Sequence, residues 1–162
     1  MKRVLFASVL LVMLVSGCAP AATPAPTSTP VGAISPAVRA LDEYYREINE
    51  ARSQNDFNKP WDMLTNQEQC NFRYKCELSY FQDFWGKSKV KYRLYDCGSD
   101  RVLAEEMYYP REGDSNSAVT GTKFWKFQLV ELEGRWMIDD SSVRQGLDAE
   151  CTLVIDQSVS SK

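Results

Sequence analysis

Lys87-Ser88-Lys89-Val90-Lys91-Tyr92-Arg93-Leu94 is the stretch on which the fold turns. Val90, Tyr92 and Leu94 alternate with Lys87, Lys89, Lys91 and Arg93, and a period of two is that of a strand with one buried face. Upstream the spacing is helical. Ser35-Pro36 pairs a capping serine with a proline in the first turn, and Val38, Leu41, Tyr45 and Ile48 follow three or four apart, which predicts a first helix to about Ser53. The polar turn Gln54-Asn55-Asp56 restarts a short helix through Pro60, Trp61, Met63 and Leu64. A third helix is expected from Ser79, with Gln82 three positions on in a capping-box pattern, through Phe81, Phe84 and Trp85 to Gly86. Downstream, strands are expected over about Arg101 to Tyr109, Val119 to Leu132 and Arg135 to Asp140, the last two joined by a Glu133-Gly134 turn, with Pro110 to Ser117 as a loop. Three helices before every strand point to an α+β fold with an antiparallel sheet.

The chain has 162 residues, 44% hydrophobic and 25% charged, which is enough for one core. Histidine is absent. That removes Ser-His-Asp and Cys-His nucleophiles and His-ligated metal sites. No Gly-rich phosphate loop, metal-ligand cluster or serine-hydrolase elbow occurs, so neither cofactor nor metal is expected.

Residues 1–17 read as an export signal: Lys2 and Arg3 precede a run that is apolar from Val4 to Val15 and too short to span a bilayer core of about 30 Å. The run ends in Val15-Ser16-Gly17-Cys18, which resembles the lipobox of bacterial lipoproteins. That resemblance implies lipidation of Cys18 and a place on the outer side of the cytoplasmic membrane, held there by two or more acyl chains. Residues 18–34 would then be the lipidated cysteine and a tether, since Pro20, Pro24, Pro26 and Pro30 lie among Ala, Thr and Ser without charge or apolar period. At roughly 3.1 Å per residue the tether reaches up to about 50 Å. The folded unit is expected over residues 35–157, with 158–162 as a tail. Without Lys2 and Arg3 the chain keeps 17 basic against 22 acidic residues, a net charge of −5, which together with export argues against a nucleic-acid partner.

Four cysteines remain beside Cys18, and an even remainder in an exported chain points to two disulfides. Cys70 with Cys76 is the shorter closure, leaving Cys97 with Cys151, which would tie Thr152 to Ile155 to the end of the first strand. A zinc site is the alternative, but no Cys-x-x-Cys pair is present.

A first helix with Tyr44-Tyr45, a short helix bearing Trp61, a helix ending Phe84-Trp85 and strands closing on Gly134-Arg135-Trp136-Met137-Ile138-Asp139 together resemble the nuclear transport factor 2-like superfamily, to which ketosteroid isomerase and scytalone dehydratase belong. The resemblance covers about residues 36–141. It implies helices packed into the concave face of a curved sheet, a cone with an apolar pocket, for which Trp61, Phe81, Phe84, Trp85, Tyr92, Trp125 and Trp136 are the candidate lining residues.

Three functions follow. The first is a non-enzymatic domain binding a small apolar ligand or an envelope protein, with a second copy of the chain as a further candidate partner. The second is an isomerase- or dehydratase-like enzyme in which Tyr45 works with Asp139 or Asp140, the pair acting as acid and base if burial raises the carboxyl pKa. Strand alternation puts Asp140 on the side of Trp136 and Ile138, while the following Ser141-Ser142 suggests exposure and no proton transfer. The third is binding of anionic envelope polymers by the Lys87, Lys89, Lys91 and Arg93 row. Such a row otherwise serves as a solvated strand face.

Overall fold

The computed structural model describes residues 34–87, 89–109 and 121–158. The lipobox, Cys18 and most of the tether lie outside the described residues.

Helix α1 spans Pro36–Gln54. Ser35 is extended and its Oγ accepts a hydrogen bond from the Val38 amide at 3.3 Å, so one orphan donor of the first turn is satisfied. At the other end Asn55 turns left-handed (φ 56°) and the amides of Asn55 and Asp56 both return to the Ala51 carbonyl. Between the caps, Val38, Leu41, Tyr44, Tyr45, Ile48 and Ala51 form one buried face.

Three shorter helices follow: α2 Asn58–Trp61, α3 Asn66–Gln69 and α4 Leu78–Trp85. Helix α3 was not expected. Thr65 caps it, with Oγ1 accepting from the Glu68 amide at 3.4 Å. Helix α4 begins earlier than the Ser79 pattern indicates. The Cys70–Cys76 disulfide and the left-handed Lys75 and Cys76 (φ 53° and 61°) deliver the chain to an extended Glu77, which becomes the cap. Ser79 therefore lies inside the helix and its hydroxyl donates to Glu77 Oε2.

Five strands, β1 Lys89–Asp96, β2 Arg101–Tyr109, β3 Gly121–Leu132, β4 Arg135–Arg144 and β5 Thr152–Asp156, form one antiparallel sheet in the order β4-β3-β2-β1-β5. The fold is α+β, and it has an additional helix and an additional strand beyond the elements expected from the sequence. Val90, Tyr92, Leu94, Val102, Ala104, Trp125, Phe127, Leu129 and Ile138 meet α1 and α4 in the main core. Strand β4 is tacked to the helical layer by a parallel bridge, in which the Thr65 amide donates to the Ile138 carbonyl at 2.8 Å and the Ile138 amide to that of Met63 at 3.0 Å.

Strands β4 and β5 occupy opposite edges, four strand spacings or about 19 Å apart. Residues 145–151 make that crossing. With the inner face taken by the helices, a second small cluster of Tyr95, Cys97 and Leu103 with Phe124 and Cys151 forms apart from the main core, and the Cys97–Cys151 disulfide fixes it. Both disulfides join the cysteines expected from their spacing.

Candidate functional site

Alternation along β2 that buries Val102 and Ala104 against the helices brings Glu106 inward as well. Only 1% of Glu106 is exposed. Tyr45, midway along α1, donates its hydroxyl hydrogen to Glu106 Oε1 at 2.5 Å, and Tyr108 donates to Oε2. Both carboxyl oxygens thus have donors inside the protein. Burial pushes the Glu106 pKa up, because the charged form loses its hydration, and the two tyrosine donors with more distant Arg73 and Lys123 oppose that shift without cancelling it. Burial, reinforced by the Glu106 carboxyl, likewise holds the Tyr45 and Tyr108 hydroxyls above the usual phenol range. The Tyr45 ring is stacked on Tyr92 with centroids 4.5 Å apart and meets the edges of Tyr44, Trp85 and Phe127. Aromatic rings therefore occupy the space around this carboxyl.

A second buried polar cluster lies beside it. Glu68, 2% exposed, is carried by α3 and pairs with Arg73 at 2.7 Å. Ser141 donates to Glu68 Oε1 at 2.5 Å and accepts from Arg73 Nη2. Burial raises the Glu68 pKa, against the pull of Ser141 and Arg73. The Arg73 guanidinium lies 4.3 Å from the Trp125 ring centroid and 4.8 Å from that of Tyr74, so its faces are covered by π systems and its edge is anchored by the carboxylate. Tyr74 in turn accepts from Trp85 Nε1 at 3.2 Å.

The aspartates expected beside Tyr45 are elsewhere. A bulge sets Gln128 opposite Asp140 and Leu129 opposite Ile138, leaving Asp139 as the extra residue. The bulge reverses the alternation that would have placed Asp140 with Ile138. Asp140 is exposed, Asp139 is half-buried and accepts from Thr65 Oγ1 at 2.8 Å, and Ser141 takes the inward position. Among the carboxylates of the described residues, Glu106 is the one that Tyr45 meets. A glutamate in phase with inward Val102 and Ala104 was the available signal for it, and Thr65-x-x-Glu68, a capping-box pattern, was the signal for Glu68.

Of the aromatic residues singled out, Phe81, Trp85, Tyr92 and Trp125 are buried core side chains, whereas Trp61, Phe84 and Trp136 are half-buried around them. The members of the basic row have different partners. Lys87 precedes β1 and pairs with Asp83 at 2.8 Å, while Arg93 bridges Glu105 and Asp156 at 3.2 Å each. Lys91 donates to the Ser158 carbonyl, and Lys89 stands exposed on the strand.

Three open grooves are among those that the described residues form around the core. One, about 700 Å³, runs between Arg39 and Glu43 of α1, the α2 region at Lys59 and Asp62, and Arg135-Trp136. A second, about 590 Å³, lies at Arg52, Ser79 and Gly86. A third, about 320 Å³, opens at the end of α4 and includes both Arg73 and Tyr108, members of the two buried polar clusters. Among the described residues no group of acidic or cysteine side chains is arranged to hold a metal ion, and no helix is long and apolar enough to cross a membrane. No family model, curated protein or solved structure matches the chain.

Proposed function

We propose that this chain is an exported, lipid-anchored binding or interaction domain, built as an aromatic-filled cone of the nuclear transport factor 2-like kind, whose buried carboxyl serves the fold and not a reaction. One observation carries the reading: both oxygens of Glu106 are engaged by Tyr45 and Tyr108 within a ring of packed aromatic side chains. A general base must reach the proton it takes, and this carboxyl is only 1% exposed with both oxygens already hydrogen-bonded. The order of helices before strands and the sheet face covered by α1 and α4 are consistent with the cone, and the Val15-Ser16-Gly17-Cys18 motif supports the anchor.

A second reading has one observation in its favour. A tyrosine and a carboxyl share a short hydrogen bond in a buried setting, which is the pairing an isomerase uses to hold an oxyanion and move a proton. The two are separated by incubating the full chain with a β,γ-unsaturated ketone and following conjugation by absorbance. The binding domain leaves the ketone unchanged; isomerisation that disappears in Tyr45→Phe establishes the enzyme. Anchoring is tested separately by fractionating cells that express Cys18→Ser. Release from the membrane or blocked processing is expected, and a variant that still partitions with lipidated proteins removes the anchor from the proposal.

A further inference from the structure

We infer that the groove at the end of α4 is a binding site for a small amphipathic carboxylate, an acid with an aromatic or aliphatic body. The inference rests on the binding-domain reading and deepens it. The groove is about 320 Å³, at the small end of the roughly 300 to 1,000 Å³ of ligand sites. Its apolar wall is Phe84, Val90 and Tyr108.

Its charges do not balance. Lys87 is matched by Asp83, and Arg73 is matched by Glu68. Lys123 reaches the same groove from β3, lies 5.5 Å from the Tyr108 ring centroid and has no ion pair among the described residues. Strand register sets it opposite Glu106, whose oxygens are already taken by the two tyrosines. One cation is therefore left over.

Independently, Arg73 presents an unsatisfied donor. Its side chain is only 6% exposed, yet its Nε has no hydrogen-bond partner. A buried guanidinium N–H without an acceptor is costly, and a ligand acceptor entering the groove offers the group that the protein lacks. A surplus cation, an unpaired guanidinium donor and an apolar wall recognise one negative head on an apolar body. A bare inorganic anion makes no use of the half-buried Phe84 ring in the groove wall, and a neutral ligand leaves Lys123 without an ion pair.

The test is a titration of the full chain in detergent micelles with 2-naphthoate, followed through the Arg73 Nε–H and Trp125 Nε1–H signals in proton–nitrogen spectra. Neutral 2-naphthamide and inorganic phosphate are run in parallel. Saturable shifts with naphthoate, weakened about tenfold in the exposed-site variant Lys123→Gln, are expected. The site is overturned if naphthoate leaves both signals unmoved, if the amide or phosphate shifts them as strongly, or if Lys123→Gln binds naphthoate as the wild type does. Failure here with an unchanged ketone in the isomerisation assay removes this site alone; isomerisation removes the binding-domain reading itself.

Discussion

At the scale of single residues, the account rests on two glutamates that the fold buries. Glu106 has a pKa raised by burial, so the folded chain holds its proton at pH values where the unfolded chain has released it. Its contribution to stability is fully present below the unfolded value of about 4.3 and is lost as pH rises through the folded one. Glu106→Gln removes that dependence. Urea midpoints of wild type and variant are expected to separate in the variant's favour on going from about pH 4 to about pH 8, and parallel curves would show that Glu106 titrates normally. Glu68 behaves differently because it has a cation to satisfy. Glu68→Ala leaves the Arg73 guanidinium buried without its carboxylate, and a loss of about 3 to 5 kcal/mol is expected in the same measurement.

The reach of sequence reasoning is visible in these same residues. Helical spacing placed Tyr45 inward, and the resemblance to isomerases made it a candidate, but its partner was not legible. Asp140 was assigned by simple alternation, and a one-residue bulge at Asp139 is invisible to a period-two pattern. Glu106 carried a readable signal, being in phase with Val102 and Ala104, yet Glu105 beside it offers the opposite phase and the same charge. Deciding between them requires knowing which sheet face the helices cover.

Among the elements, the two disulfides have unequal work to do. Cys97–Cys151 spans 54 positions and holds the β4-to-β5 crossing over the sheet, while Cys70–Cys76 spans 6. Chain entropy assigns about 4 kcal/mol to the first closure and about 2 kcal/mol to the second. The paired serine variant at Cys97 and Cys151 is therefore expected to lose about 2 kcal/mol more than that at Cys70 and Cys76, and hydrogen exchange should show β5 unprotected only in the former. Equal losses would mean that β5 is held by its ladder to β1 alone. The β3–β4 hairpin offers a gain instead. Glu133 and Gly134 both have positive φ, 52° and 76°, a two-residue turn that favours asparagine at its first position. Glu133→Asn is expected to raise the melting temperature, by a few tenths of a kcal/mol in stability, and a drop would refute the turn assignment. The hairpin, the Ser35-Pro36 start and both cysteine pairings were legible because their signals are local. The extra length of β4 and the strand β5 were not, since each exists only through pairing with a distant partner.

For the molecule as a whole, the α+β class followed from the change of period at Lys87, and the interior followed from the aromatic content. Whether that interior is open or filled depends on how Tyr45, Tyr92, Trp85 and Trp125 interlock, which no spacing reveals. The central claim is that Glu106 is sealed among them as a hydrogen-bonded carboxyl whose pKa burial raises. Carbon-13 NMR of the glutamate carboxyl, titrated with pH in the intact chain, tests it most directly, with the Tyr45 and Tyr108 hydroxyl protons watched for exchange with water. The account expects the Glu106 signal to titrate above the ordinary glutamate range and the two hydroxyl protons to exchange slowly. A Glu106 that titrates near about 4.3, beside hydroxyl protons in fast exchange, would contradict it and open the interior to substrate.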